Sequence, residues 1–133
     1  MRFLRGAFYT WDDLNYANFI IDFLKILEPR HIAPKETISD ELYEVNEIFF
    51  LQHGNVNVGY EVNRQERFRI RLEAATSVIG AFEMLFRRRQ LFIYRTHTEC
   101  RGYSIRFNNW KELEDDYSDF AKILKRKILT TYI

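Results

Sequence analysis

The stretch NVNVGYEVNRQERFRIRLE, residues 55 to 73, decides how this chain is read. Val56, Val58, Tyr60 and Val62 alternate with Asn55, Asn57, Gly59 and Glu61. Phe68, Ile70 and Leu72 then alternate with Arg67, Arg69 and Arg71. A period of two places successive side chains on opposite faces of a strand. Each half therefore predicts a half-buried antiparallel strand with its apolar face inward. NRQE, residues 63 to 66, is a polar turn, which makes the pair a hairpin. EIFFL (47–51), before Gly54, and GYSIRF (102–107), after Cys100, read as further strands. Short strands between polar turns predict a small barrel, roll or sandwich.

The periodicity changes at both ends. Phe19, Phe23, Ile26 and Leu27 fall on one side of a helix, with Ile20 and Leu24 beside them. TWDD (10–13) reads as its capping box, Thr10 facing Asp13. Pro29 bounds the helix, because the residue before a proline is pushed out of the α region. At the other end, Asn109 reads as the cap of a helix with Glu112 in its first turn. A break is expected at DDYSD (115–119), where Asp and Ser compete for backbone hydrogen bonds. FAKILKRKIL (120–129) resumes the helix, with Phe120, Ile123, Leu124 and Ile128 as its apolar stripe. The expected order is one helix, about eight strands, then one or two helices.

The bulk numbers exclude several classes. A chain of 133 residues with 47% hydrophobic content is enough for one domain with its own core. Twenty basic against nineteen acidic residues give a net charge of +1 and no general drive toward nucleic acid or anionic membrane. The single cysteine, Cys100, forms no internal disulfide, which fits a reducing compartment. No apolar run approaches the ~20 residues of a membrane span, and MRFLRGAFYTWDD lacks the apolar core of a signal peptide. The reading is a cytoplasmic chain, or the cytoplasmic side of a membrane protein, with no direct membrane insertion of this fragment.

Catalytic and metal chemistry find little support. His31, His53 and His97 are far apart, and none has a paired His or Cys spacing. HTE (97–99) would put His97 and Glu99 on one strand face, which is two ligands at most. There is no Gly-x-Ser-x-Gly elbow, and Cys100 reads as a buried structural thiol. The carboxylates of SDE (39–41) and LEDD (113–116) sit where turns and helix ends use them. Arg67, Arg69 and Arg71 share one strand face and read as a solvated row, with no aromatic interleaving to suggest a nucleic-acid surface. No catalytic residue, metal or cofactor is assigned.

One stretch remains: VIGAFEMLFRRRQLFIYR, residues 78 to 95. Together with the order of elements around it, it resembles the cyclic nucleotide-binding domains. LEPRHIAPKETI (27–38) resembles the family's lead-in, leucine and proline followed by Pro-Gly-Asp-x-Ile, with Lys35 at the glycine and Glu36 at the aspartate. EIFFLQHGNVNVGYE (47–61) resembles its apolar strand, glycine turn and valine-alternating strand. RTHTECRGYSI (95–105) resembles the strand pair after the ligand cassette, including Thr98 and Cys100. NWKELEDDYSDFAKILKRKI (109–128) resembles the last two helices, with Ser118 where proline is common. The resemblance implies a mainly β fold with flanking α. That fold is an antiparallel β-roll, jelly-roll-like, also described as a double-stranded β-helix, with an N-terminal helix and C-terminal helices. It implies one domain over 1–133: a helical lead-in at 1–28, the roll at 36–108 and the C-terminal helices at 109–130.

The resemblance also implies a ligand cassette. Members that bind cyclic AMP or cyclic GMP open it with Gly-Glu, the carboxylate taking the ribose hydroxyl. They close it with an arginine for the cyclic phosphate, followed by small residues. Here Gly80 matches the opening, but Ala81 stands at the glutamate. Counting forward from Gly80 and back from Thr98 both place Gln90 at the arginine, followed by Leu91, Phe92 and Ile93. Both polar contacts are then missing, and large apolar side chains are expected to fill the ligand space. The expected protein is a regulatory, non-catalytic homology domain of a cation channel, of potassium-channel type. Its partner would be the remainder of that channel, in a possible tetrameric parent. Phe92 with its neighbours, or the terminal TTYI (130–133), would act as an internal plug. A competent sensor using Glu83 with Arg88 or Arg89 in a shifted cassette stays open, as does a protein-interaction or assembly module.

Overall fold

The computed structural model of the chain describes residues 14–74 and 77–132, the last two by backbone alone. The Thr10–Asp13 capping box lies outside the described residues, as do the side chains of Thr131, Tyr132 and Ile133. Helix α1 (Leu14–Ile26) leads into strands β1 (Glu28–Ile32), β2 (Thr37–Ser39), β3 (Glu47–His53), β4 (Asn55–Val62), β5 (Gln65–Glu73) and β6 (Ser77–Ile79). A short helix α2 (Ala81–Leu85) follows, then β7 (Ile93–Thr96), β8 (Cys100–Arg106), α3 (Phe107–Asp116) and α4 (Ser118–Tyr132). Two antiparallel four-stranded sheets result, ordered β1-β8-β3-β6 and β2-β7-β4-β5. Apart from the β4–β5 hairpin, strands adjacent in sequence lie in opposite sheets, which makes the structure an antiparallel β-roll with flanking helices.

The hairpin forms as its period demands, Val62 opposite Gln65. Its turn is tighter than the four polar residues suggest. Asn63 (φ 51°) and Arg64 (φ 63°) are both left-handed, the mark of a two-residue type I′ turn. A bulge between Val58 and Gly59 sets Gly59 opposite Phe68. A Cβ on Gly59 would lie 2.1 Å from the Arg67 carbonyl oxygen, so only glycine fits. Here the inward face fails at two positions. Val62 is 47% exposed, because it is the last residue of β4 before the turn. Ile70 is 60% exposed, because β5 is an edge strand with a neighbour on one side only and the bulge interrupts its alternation.

β3 reads as a continuous apolar run because both its faces are covered. Ile48 and Phe50 pack with α1, α3 and α4 in a cluster built on Phe19, Phe23, Trp110 and Leu124. Phe49 and Leu51 face the second cluster, with Ile32, Val56, Ile79 and Cys100. Each large side chain so enclosed contributes about 1.5–3 kcal/mol of apolar burial.

The helix ends follow local chemistry, with two shifts from expectation. The roll starts at Glu28 rather than 36, because β1 pairs with β8 along its whole length. α3 starts at Phe107 rather than after Asn109, and its N-cap Arg106 makes no side-chain capping bond. β8 runs directly into the helix, so continuity of the chain replaces a cap. The break in DDYSD falls at Tyr117 (φ −136°). The Tyr117 hydroxyl donates to Asp22 of α1 at 2.6 Å, and its ring meets Phe19 edge-on at 5.5 Å. The break is thereby pinned to the N-terminal helix. Leu24 is turned out of that packing, at 46% exposure.

Candidate functional site

The cassette is a short arch between β6 and β7. Gly80 opens it in the left-handed region (φ 87°), where a Cβ would lie 2.9 Å from both the Glu47 carbonyl oxygen and Val45 Cγ1. Glycine is required there on two counts, conformation and space. Its carbonyl accepts the Met84 N–H at 2.9 Å, the first bond of α2. Ala81 and Met84 are buried, so the side chain at the position where the resemblance implies a glutamate is a core methyl.

Each arginine of the triplet has a different fate. Arg87 takes a left-handed backbone (φ 53°). Its Nη2 donates to Glu44 Oε1 at 2.6 Å, and the guanidinium lies 4.1 Å from the Phe107 ring centroid. Arg89 Nη1 donates to the Leu42 carbonyl at 3.3 Å, and Arg89 forms an antiparallel bridge with Glu44. Arg88 is exposed, and its guanidinium has no partner among the described residues. Two of the three arginines thus tie the cassette to residues 42–44 and to the start of α3.

Gln90 is fully buried, at 0% exposure. Its N–H donates to the Tyr43 carbonyl (3.0 Å), and its own carbonyl accepts from Leu42 N–H (2.7 Å). Its Oε1 accepts from Leu91 N–H at 3.1 Å, while Nε2 has no partner among the described residues. Leu91 and Phe92 correct the sequence expectation. They are 69% and 43% exposed, so neither fills the interior. Phe92 is no plug, because backbone pairing with residues 42–43 fixes Gln90 as the inward residue and the next two turn out. Ile93, the first residue of β7, is buried.

Glu83 is half-buried on α2. Its charge and, above all, burial push the Tyr94 hydroxyl up to about 12. A cavity of about 670 Å³ adjoins the cassette at Gly80, with Val45, Phe49 and Ile79 on its apolar side and Glu47 and Arg106 among its polar groups. Ala81, Glu83, Arg88 and Gln90 are not part of its lining. Glu47 is held by Arg30 Nη1 at 2.5 Å.

Two structural contacts escaped the sequence reading. Thr96 is 1% exposed and clasps the 33–37 turn: its hydroxyl accepts from Glu36 N–H (2.9 Å) and donates to the Ala33 carbonyl (2.7 Å). Lys35 adopts φ 64° there, and its N–H donates to the Thr96 carbonyl at 2.9 Å. Gln90 with residues 42–43 is the other such contact, and only long-range pairing reveals it. Around Cys100 the expectation of a buried thiol holds. Sγ donates to the Asn55 carbonyl at 3.3 Å, and burial pushes the thiol up from its ordinary value. His97 and Glu99 lie in the turn between β7 and β8 rather than on a strand face. Glu99 instead meets His31 Nε2 at 2.8 Å. Among the described residues no group of three or more His, Cys, Asp or Glu is placed to hold a metal ion. No helix among them is long and apolar enough to cross a membrane.

No family model and no curated protein matches the chain. Solved structures do. A cyclic nucleotide-binding domain from Methylobacillus flagellatus is similar with TM-score 0.75 at 10% identity, over 86% of this chain and 64% of that one. The N-terminal domain of a transcriptional regulator from Streptomyces coelicolor gives 0.69 at 13%, over 90% and 80%. The regulatory domain of Toxoplasma gondii PKA, crystallised with cAMP, gives 0.65 at 12% identity. The match covers 88% of this chain and spans only 42% of the Toxoplasma one. The chain has the fold of the cyclic nucleotide-binding domains.

Proposed function

We propose that the chain is a regulatory, non-catalytic module built on the cyclic nucleotide-binding fold, with a cassette that has become structural and takes up neither cyclic AMP nor cyclic GMP. One observation carries this reading. Gln90, at the position of the phosphate-binding arginine, is wholly buried, and its amide oxygen is engaged by its own neighbour Leu91. A neutral amide supplies no charge to a phosphodiester, and Ala81 supplies no acceptor to a ribose. Two charge-assisted contacts contribute about 1.5–3 kcal/mol each, so their loss weakens binding by roughly two to four orders of magnitude.

The module's work is then mechanical. Arg87 joins the cassette to Phe107 at the start of α3, and Lys125 of α4 lies 5.0 Å from the Phe86 ring centroid just after α2. A displacement of the cassette is passed to both C-terminal helices by packing. In this reading the domain regulates a larger protein, a tetrameric potassium channel whose remainder is its partner, from the cytoplasmic side. A second reading keeps a shifted sensor, favoured by the unpartnered guanidinium of Arg88 with Glu83 on the same arch. Thermal melting with millimolar cyclic AMP and cyclic GMP separates the two. A flat melting temperature supports the structural cassette. A saturable rise that Arg88→Gln abolishes supports the sensor.

A further inference from the structure

The first sheet carries a basic shelf that the cassette does not use. β1, β8 and β3 lie side by side, with His31 opposite Arg101 and Arg101 opposite His53. Neighbouring strands are about 5 Å apart, so the three residues form a row about 10 Å long. On the same strands Pro29 is opposite Tyr103, which is 40% exposed. β3 departs from regular register between Leu51 and His53, which sets Gln52 at the wall. These residues, with Arg30, line a surface cavity of about 440 Å³.

Its lining holds four basic side chains and no carboxylate. Two acids outside the lining pair with two of these side chains. Glu47 takes Arg30 at 2.5 Å, and Glu99 lies 2.8 Å from His31 Nε2. Arg101 Nε is 3.9 Å from Glu99, beyond hydrogen-bond length, so its fork of donors is not consumed. The side chains of Gln52 and His53 have no polar partner among the described residues.

We infer that this shelf is a binding site for the phosphate or diphosphate group of a small molecule, separate from the cassette. Arg101 presents two parallel N–H groups to the phosphate oxygens, the geometry in which a guanidinium exceeds an ammonium. Gln52 and His53 add donors from the neighbouring strand. Tyr103 and Pro29 offer an apolar surface to the organic part of the ligand. The tyrosine ring would lie against that part while its hydroxyl stays in water.

The test is an NMR titration of the full chain with inorganic pyrophosphate. Saturable shifts confined to His31, Gln52, His53, Arg101 and Tyr103 are expected. Arg101→Gln should weaken binding by about tenfold or more, and Arg101→Lys by less, because it keeps the charge and loses the fork. Arg88→Gln, on the cassette arch, should leave binding unchanged. Phosphatidylcholine vesicles with and without a phosphatidylinositol phosphate separate a lipid headgroup from a free phosphate. Arg101-dependent retention on the phosphorylated vesicles assigns the headgroup, and pyrophosphate binding without retention assigns the soluble ligand. Absence of saturable shifts together with no Arg101-dependent retention overturns the proposal. So does pyrophosphate binding that Arg101→Gln does not weaken.

Discussion

The 33–37 turn and the 80–92 arch both depart from the sequence pattern that the family resemblance implies, with opposite consequences. In the turn, Lys35 stands where glycine is usual, and the backbone still reaches φ 64°. Thr96 holds it there, with backbone and hydroxyl bonds to residues 33, 35 and 36. In the arch, Gly80 and the apolar frame persist, while Ala81 and Gln90 supply no charge. Backbone shape rests on several hydrogen bonds at once and survives a single exchange. In the proposed reading, ligand chemistry rests on single side chains at two positions and does not.

The contrast can be broken by substitution. The largest effect is expected at Gly80→Ala. A left-handed alanine, with its Cβ 2.9 Å from the Glu47 carbonyl oxygen, should cost about 2–4 kcal/mol in urea unfolding. Thr96→Val should follow, at about 1–3 kcal/mol, because it strips Glu36 N–H and the Ala33 carbonyl of their partner. Lys35→Gly should raise stability by about 0.5–1 kcal/mol, since a left-handed backbone is cheaper for glycine. Gln90→Met should change stability by less than about 1 kcal/mol. It removes an amide nitrogen with no partner along with a single Oε1 bond. If Gln90→Met proves more costly than Thr96→Val, the arch is the more tightly specified region and the comparison reverses.

What could be read directly was what depends on neighbours in sequence. The alternation at Val56–Val62 gave β4, and the run at 47–51 gave β3. The break in DDYSD gave the α3–α4 junction. Gly80 and Gln90 were found by spacing. Distant partners decide the rest. Ile70 faces solvent because β5 ended at a sheet edge. Phe92 turns outward because Gln90 pairs with Leu42 and Tyr43, residues 47 or more positions earlier. Arg87 serves Glu44 and Phe107 instead of a phosphate, a role with no local signal. Thr96 has no local signal either, because its hydroxyl serves Ala33 and Glu36, 63 and 60 positions earlier.

Calorimetric titration of the wild-type chain with cyclic AMP and cyclic GMP addresses the cassette most directly. No saturable heat is expected at millimolar ligand, because a buried neutral amide stands where the resemblance implies the phosphate-binding arginine. Micromolar binding of either nucleotide would contradict a structural cassette and return the arch to ligand chemistry.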